Sequence, residues 1–379
     1  MKTAIVHDWL TGMRGGEKCL EILCELFPDA DLYTLLHIKG KMSEQIEGMN
    51  IITSFLQKLP FVEKRYRYYL PIMPFAIERF DMSRYDLIIS SSHCVAKGIV
   101  KRPATCHICY CHTPMRYIWD MYHHYFGNGR LGWLSGKTIP LFRDYLRKWD
   151  VSSADRVDYF ITISENVLLR IKRHYNRESE IIYPPVNTDF FTPLGDDGDY
   201  YLMVTAFAPY KRIDLAIEAF NILGYPLKII GTGQDEKRLK GIAMQNIEFP
   251  GWIPDQEIRG YYARCKAFIF PGEEDFGITP LEAQSAGRPV IAYGKGGALE
   301  TVIPIQKNDH RSLPPTGVFF YEQTVESLIE AVKYFEDNGS SFSKEKIREH
   351  ARRFDRSIFK GRIEGVIRDK YEQHMKQSC

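Results

Sequence analysis

Short apolar runs alternate with amphipathic stretches along nearly the whole chain, and the alternation happens twice. Thr3 to His7 reads as a first strand, and the Gly12 to Gly16 turn leads into a helix striped with Leu20, Leu23 and Phe27. Leu32 to Leu36, Asp86 to Ser90, Thr105 to Cys111 and Tyr159 to Ile163 follow as strands, separated by helical or irregular segments. Asn187 to Asp199, rich in Asp, Gly and Pro, breaks the pattern and reads as a linker. A second alternation starts at Tyr201 to Thr205. Its helix 211–222 carries Ile213, Ala216, Ile217 and Phe220 on one face, the stripe of a surface helix. Leu227 to Ile230, Ala267 to Phe270 and Val290 to Ala292 supply further strands, and helices at 324–336 and 344–354 close this half. Strands that alternate with helices form mostly parallel sheets covered on both faces. No short-period repeat argues for a solenoid. The pattern predicts an α/β protein with two doubly wound, Rossmann-like domains, 1–190 and 196–357, and a C-terminal helix 358–379 that packs back on the first.

Composition narrows the partners. A chain of 379 residues is long enough for two ordinary cores, and a hydrophobic fraction of 44% is that of a globular protein. A net charge of +2 makes no electrostatic case for nucleic acid, and no zinc-finger or RNA-binding signature is present. His7 and Asp8 interrupt Met1 to Met13, which therefore reads neither as a secretory signal nor as a membrane span. Eight cysteines without such a signal point to reduced thiols in a cytosol. Cys106, Cys109 and Cys111 before His112 invite a metal reading. In a strand, however, Cys106 faces away from the other two, and small buried residues explain them as well.

The candidate chemistry collects just past strand ends, where doubly wound sheets bind ligands. Ala267 to Phe270 ends at Pro271-Gly272. An acidic loop follows, and Thr279-Pro280 opens a helix that Gly287 closes. Glu274 then lies in the loop and Glu282 in the first helical turn. Thr279-x-x-Glu282 is also a capping box, which needs no ligand but leaves Glu274 and the Phe276-Gly277 backbone unexplained. Lys211 and Arg212 stand at a strand-to-helix turn, where adjacent cations oppose the helix dipole unless an anion is near. Lys would meet a diphosphate as a compact charge and Arg as a fork; a solvated pair is the plainer alternative. Gly15-Gly16 after the first strand lets the backbone approach a phosphate or sugar, or simply makes a tight turn. His112-Thr113-Pro114 follows another strand end. Gly231-Thr232-Gly233 is a weak phosphate signal, and Asp29-Ala30-Asp31 looks like a D-x-D metal motif but suits an ordinary turn. Phe55 to Phe80 interleaves Lys58, Lys64, Arg65, Arg67 and Arg79 with aromatic and aliphatic residues, a mixture that suits a membrane interface or a packed lobe. Pro71 and Pro74 prevent one continuous amphipathic helix there.

The segment Phe270 to Gly287 resembles the E-x7-E segment of retaining glycosyltransferases of family 4, which have the GT-B fold of two Rossmann-like domains facing each other across a cleft. The resemblance runs nearly end to end, through Ser90-Ser91-Ser92-His93, Ala96-Lys97-Gly98, His112 to Tyr117, Ile182 to Asn187 and Lys211-Arg212, and several of these segments look most like the O-antigen mannosyltransferases of bacteria. It implies that Glu282 holds the donor ribose and Glu274 touches the transferred sugar, with Phe276, Gly277 and Ile278 lining the donor. It places Trp252 and Ile253 near the nucleobase, and Gly15 and Gly16 against the diphosphate from the opposite domain. His112 would position the donor sugar and acceptor, and Lys211 and Arg212 would neutralise the leaving diphosphate. The family often carries an Arg five or six residues before this Lys, where this chain has Ala206 and Thr205, so Arg212 is expected to replace that cation. The catalytic set is thus Glu274, His112, Lys211 and Arg212, with no metal or other cofactor required. The resemblance further implies transfer of mannose from GDP-mannose, a nucleotide-sugar donor, to a polyprenyl-linked or oligosaccharide acceptor. Lys58, Lys64, Arg65 and Arg67 would face the acceptor and the inner surface of the cytoplasmic membrane, to which the enzyme binds peripherally. A UDP- or dTDP-hexose transferase, a sugar-nucleotide epimerase and a non-catalytic nucleotide-sugar binding protein are the alternatives on the same fold.

Overall fold

Apolar runs too short to be helices become buried parallel strands when helices cover both sheet faces. A computed structural model describes the chain except residues 117, 120–134, 196–197, 306–312 and 379. Its first sheet comprises β1 (Thr3–His7), β2 (Asp31–Thr34), β3 (Asn50–Thr53), β4 (Leu87–Ser92), β5 (Cys106–Cys111), β6 (Tyr159–Thr162) and β7 (Ser179–Ile181). They lie in the order β3-β2-β1-β4-β5-β6-β7, all parallel. The second sheet comprises β8 (Tyr201–Val204), β9 (Leu227–Ile230), β10 (Ile247–Gly251), β11 (Phe268–Phe270), β12 (Val290–Tyr293) and β13 (Gly317–Phe320). Their order is β10-β9-β8-β11-β12-β13, again all parallel. Every residue of β1, β4 and β5 is buried, as strands covered on both faces must be. In each sheet the strand order reverses once, between β1 and β4 and between β8 and β11, and such reversals open the crevices where doubly wound sheets bind ligands.

Two compact units result. One runs from Met1 to Pro184 and takes back the chain from Phe359 onward; the other is Pro185–Ile358. In the first, Ile363 and Ile367 of the final helix Arg356–Ser378 are buried, Phe359 meets Tyr110 edge to face at 5.6 Å, and Lys360 Nζ lies 3.1 Å from Glu25. In the second, Ile213, Ala216, Ile217 and Phe220 all point inward from the helix Ile213–Leu223, which Gly224 ends in the left-handed region at φ 72°. Phe220 is fully buried, so Phe220→Ala would cost about 3–5 kcal/mol.

The elements differ from the sequence reading in a few places. Gly15 and Gly16 form the first turn of the helix Gly15–Leu26 rather than the turn before it. The helix expected over 211–222 starts at Ile213, because Pro209–Lys211 makes a 3-10 turn and Arg212 turns left-handed. Segment 187–199 is not a free tether. Phe191 is buried against Tyr262, and Thr188 Oγ1 donates to Asp355 at 2.6 Å, all within the second unit. Four strands that the sequence did not announce, β3, β7, β10 and β13, are the four sheet edges. Among the described residues, no helix is long and apolar enough to cross a membrane.

Candidate active site

Adjacent parallel strands deliver their following loops to the same sheet edge. In the second unit, β8 leads to Lys211 and its neighbour β11 leads to Glu274, and the two side chains form an ion pair at the strand-order reversal. The pair is mostly enclosed, with side chains 15% and 20% exposed, and the Lys211 ammonium also lies 5.2 Å from the Tyr210 ring centre. Gly272 allows this approach, since a Cβ there would sit 3.0 Å from the Lys211 Cα. The Glu274 backbone is pinned as well: its carbonyl accepts from the Gly297 N–H at 2.8 Å. Glu273, one residue earlier, pairs with Lys295 at 3.1 Å. A cation and a carboxylate thus share one crevice and neutralise one another.

The other donor-side residues divide. Gly277, at φ 99°, is the N-cap of the helix Ile278–Ser285, so the helix begins before the expected Thr279-Pro280. This corrects the capping box. Glu282 lies in the second turn, is buried, and accepts from the Tyr262 hydroxyl at 2.7 Å. Phe276 is buried and Ile278 half-buried. Trp252 is 73% exposed just past the end of β10, whereas Ile253 beside it is buried. Such exposure is costly for an indole, which ordinarily finds cover. Arg212 holds φ 52°, a conformation costly to a residue with a Cβ, and its Nε lies 3.5 Å from Asp214. Lys211 and Arg212 therefore both already face carboxylates.

The first unit carries a second constellation at its own reversal. His7 ends β1, Ser91 lies in β4, and His112 follows β5. Ser91 Oγ bridges the two imidazoles, 3.0 Å from His7 Nδ1 and 2.9 Å from His112 Nε2. Gly16 packs over them, and a Cβ there would make ordinary contact at 3.5 Å from His112 Nε2, so closeness alone does not demand glycine. Asp8, fully buried, accepts from the backbone N–H groups of His93, Cys94, Val95 and Ala96 and pairs with His93 Nδ1 at 3.1 Å. Burial opposes its charge, but His93, His7 and those amides prevail and hold its pKa below the usual carboxylate range. Burial, helped by the neighbouring His93 and His7, depresses the His112 pKa to about 3, so its imidazole is neutral at physiological pH.

Several sequence candidates turn out to be structural. Lys97 of Ala96-Lys97-Gly98 is buried and bound to Asp150 and Ser153, while Gly98 admits the Trp149 ring, which a Cβ would meet at 2.3 Å. Asp31 is held by Tyr85, by Arg84 at 2.8 Å and by Asn50 at 2.6 Å. Cys106, Asp158 and His374 offer ligand atoms within 4.8 Å of one another, yet Asp158 is already taken by Lys101 at 3.0 Å and the His107 amide at 2.7 Å. Phe55–Phe80 is two-sided. Val62, Tyr66, Met73, Ala76 and Ile77 pack inward with Trp9, whereas Lys58, Lys64, Arg65 and Arg67 are exposed beside Phe61 and Tyr68, 73% and 72% exposed. Arg65 lies over Phe61 at 5.6 Å and Arg79 over Phe75 at 5.1 Å.

Known proteins resemble this chain in sequence and fold. The family model described as "Glycosyltransferase Family 4" matches residues 25–190, and that described as "Glycosyl transferases group 1" matches 187–354. The chain is 27% identical over 216 residues to an uncharacterized glycosyltransferase of Methanocaldococcus jannaschii, covering 53% of this chain and 58% of that one. It is 24% identical over 318 residues to the alpha-1,3/1,6-mannosyltransferase of Saccharomyces cerevisiae, covering 69% and 61%. It is 27% identical over 199 residues to the O-antigen chain mannosyltransferase RfbU of Salmonella typhimurium, covering 44% and 56%. The alignments with these curated relatives thus span between 56% and 61% of their lengths. Among solved structures, Anabaena HepE in complex with UDP superposes with a TM-score of 0.71 at 15% identity, covering 97% of this chain and all of that one.

Proposed function

The chain belongs to glycosyltransferase family 4 and has the GT-B fold, and we propose that it is a retaining enzyme moving mannose from GDP-mannose to a polyprenyl-linked or oligosaccharide acceptor of a cell-surface polysaccharide such as O-antigen. The observation that carries the reading is the Lys211–Glu274 pair at the reversal between β8 and β11. Glycosyl transfer breaks the bond from the anomeric carbon to the phosphate oxygen, and the diphosphate leaves with the electron pair. The acceptor hydroxyl bonds that carbon on the same face and gives its proton to the departing phosphate. The protein then has to neutralise negative charge at one end of the donor and hold sugar hydroxyls at the other. A paired Lys and Glu do both once the donor parts them: the ammonium turns to the diphosphate and the carboxylate to the sugar. Arg212 adds a second cation, Glu282 contacts the ribose, the exposed Trp252 face stacks on the base, and His112 positions the sugar and acceptor. Since these cations do the work of a divalent ion, transfer should persist in excess EDTA. Loss of transfer on chelation, restored by magnesium, would sink that part.

Mannose is favoured because relatives of this chain are named as mannosyltransferases, one of an O-antigen chain and one GDP-mannose-dependent on a phosphatidylinositol mannoside. A UDP-hexose donor is the second reading, favoured by the complexes of Anabaena HepE with UDP. Peripheral attachment to the cytoplasmic membrane face is supported by the exposed basic and aromatic surface of residues 55–80. A donor panel read by thermal shift and by transfer tests the reading, because a ligand that binds only the folded state raises its midpoint. GDP-mannose should give the largest shift and support transfer. A shift confined to UDP-sugars would move the assignment to the second reading, and binding without transfer or sugar turnover would remove the enzyme.

A further inference from the structure

We infer that Glu17, His7 and Ser91 form a directional hydrogen-bond relay that holds His112 as the tautomer protonated on Nε2, leaving Nδ1 as an acceptor for a substrate hydroxyl; the substrate clause rests on the transferase reading above. The sequence singles out His112 and carries Ser91 within a resembling segment, but assigns no role to Ser91, His7 or Glu17.

The direction follows from one buried carboxylate. His7 is fully buried, and its Nε2 has no hydrogen-bond partner, but it faces Glu17 Oε1 at 3.7 Å. That distance is long for a hydrogen bond and close enough to decide where the His7 proton resides. Glu17 is itself buried and stays ionised. Burial opposes its charge, but the His7 ring facing it, the nearby His93 and its own backbone N–H together outweigh this and hold the pKa below the ordinary value. The other nearby carboxylate, Asp8, is occupied by four backbone amides and His93. A lone pair on His7 Nε2 would confront the Glu17 anion, whereas an N–H is attracted to it, so in the neutral ring the single proton lies on Nε2 and Nδ1 is bare.

The rest is forced. A bare His7 Nδ1 at 3.0 Å can only accept, so Ser91 donates its single hydroxyl proton to it. The Ser91 oxygen, 2.9 Å from His112 Nε2, is then left to accept, and His112 must carry its proton on Nε2. Among the described residues the hydrogen bond of the His112 side chain is the one from Nε2 to Ser91, and the residue is only half-buried. An acceptor at that position selects a hydroxyl donor and rejects a carbonyl. Glu17, His7 and Ser91 are positioning residues, since they act through His112.

Imidazole 15N shifts report the tautomer independently of turnover. The full chain is labelled at histidine, His112 is assigned by the signals lost in His112→Gln, and spectra are recorded at about pH 8, above the ordinary imidazole range. The wild type should show His112 bare at Nδ1. Glu17→Gln is the decisive variant. The Arg14 N–H donates to Glu17 Oε2 at 3.1 Å, so the carboxamide keeps its oxygen there and turns its NH2 toward His7. The chain then reverses, and His112 should appear bare at Nε2. Ser91→Ala cuts the relay and should leave a mixture of the two forms, an arm that holds even if Glu17→Gln folds poorly. A wild-type His112 bare at Nε2, or a His112 signal unchanged in both variants, overturns the relay. Where transfer is measurable, Glu17→Gln should lower kcat by about tenfold or more and leave donor KM within about twofold. Tautomer reversal in a protein without transfer activity would retain the relay and remove the proposed function, whereas transfer with no reversal would do the opposite.

Discussion

Glu274→Gln should weaken transfer yet tighten the binding of a nucleoside diphosphate without its sugar. Glu274 and Lys211 pair at the sheet reversal with side chains 20% and 15% exposed. The gross Coulomb attraction of such a pair is on the order of 4 kcal/mol at an effective dielectric near 20. Desolvation and ordering cancel most of that, leaving a net value of about 1 kcal/mol for a pair that is neither fully exposed nor fully buried. GDP has to part this pair, and without a sugar it gives Glu274 nothing in return. The neutral amide keeps the shape, frees the ammonium, and removes an anion from the approach of a diphosphate. About 1 kcal/mol recovered means roughly fivefold tighter GDP binding. Transfer should fall by about two orders of magnitude, because the sugar loses its charged contact in the transition state. Titration calorimetry with GDP and UDP, beside initial rates at saturating donor, measures both. The gain should shrink with added salt, since the interaction is electrostatic. Equal or weaker GDP binding in the variant would refute the competition argument, and unchanged turnover would remove Glu274 from the reaction.

Glu282→Gln should preserve the helix start, because Gly277 and not Thr279 caps it, whereas Glu282→Ala leaves the buried Tyr262 hydroxyl unpartnered at a cost of about 1–3 kcal/mol, readable by urea denaturation. His107 titrates at about 4 against an ordinary 6.5 because of burial. The unfolded chain therefore binds its proton first, stability falls as pH drops from about 6.5 toward 4, and the full effect is on the order of 3 kcal/mol. His107→Gln should make that acid limb shallower while the depressed His112 keeps part of it, and an unaltered slope of midpoint against pH would contradict the assignment. Neutralising Lys58, Lys64, Arg65 and Arg67 should release the protein from anionic vesicles and reduce activity on a polyprenyl acceptor while sparing a short soluble one. Equal loss on both acceptors would point to a folding defect instead.

Much of the fold was legible because buried parallel strands need apolar runs: Thr3 to His7 and Leu227 to Ile230 were placed to the residue. The strands that escaped were all edges. β3 and β7, at Asn50–Thr53 and Ser179–Ile181, are short and half polar because one side of an edge strand needs no partner. Glu274 and Lys211 could be read from their loops, but their pairing could not, since it depends on β8 and β11 being neighbours across the 63 residues between Val204 and Phe268. The histidine constellation left one unused signal. Ser90-Ser91-Ser92 stands inside a fully buried strand, where polar side chains persist only with partners, and those partners are His107 for Ser90, His7 and His112 for Ser91 and the Lys97 N–H for Ser92. The capping box failed for a local reason: glycine at 277 admits a backbone turn that starts the helix earlier than any side-chain signal.

The way the chain enters and leaves the second unit bears on how it can be cut and recombined. Val186 and Asp355 bridge in parallel, with the Val186 N–H donating to the Phe354 carbonyl at 2.9 Å and the Arg356 N–H to the Val186 carbonyl at 3.0 Å. Residues 185–358 therefore begin and end at one spot, like a cassette held by its own clasp, and they contain a complete sheet. Ends that meet tolerate excision, circular permutation and exchange between homologues. Cutting the chain once, after Pro184, would instead strip the first unit of its final helix. Grafting a relative's 185–358 counterpart between Pro184 and Phe359 keeps that helix, and it would show whether donor choice travels with the cassette.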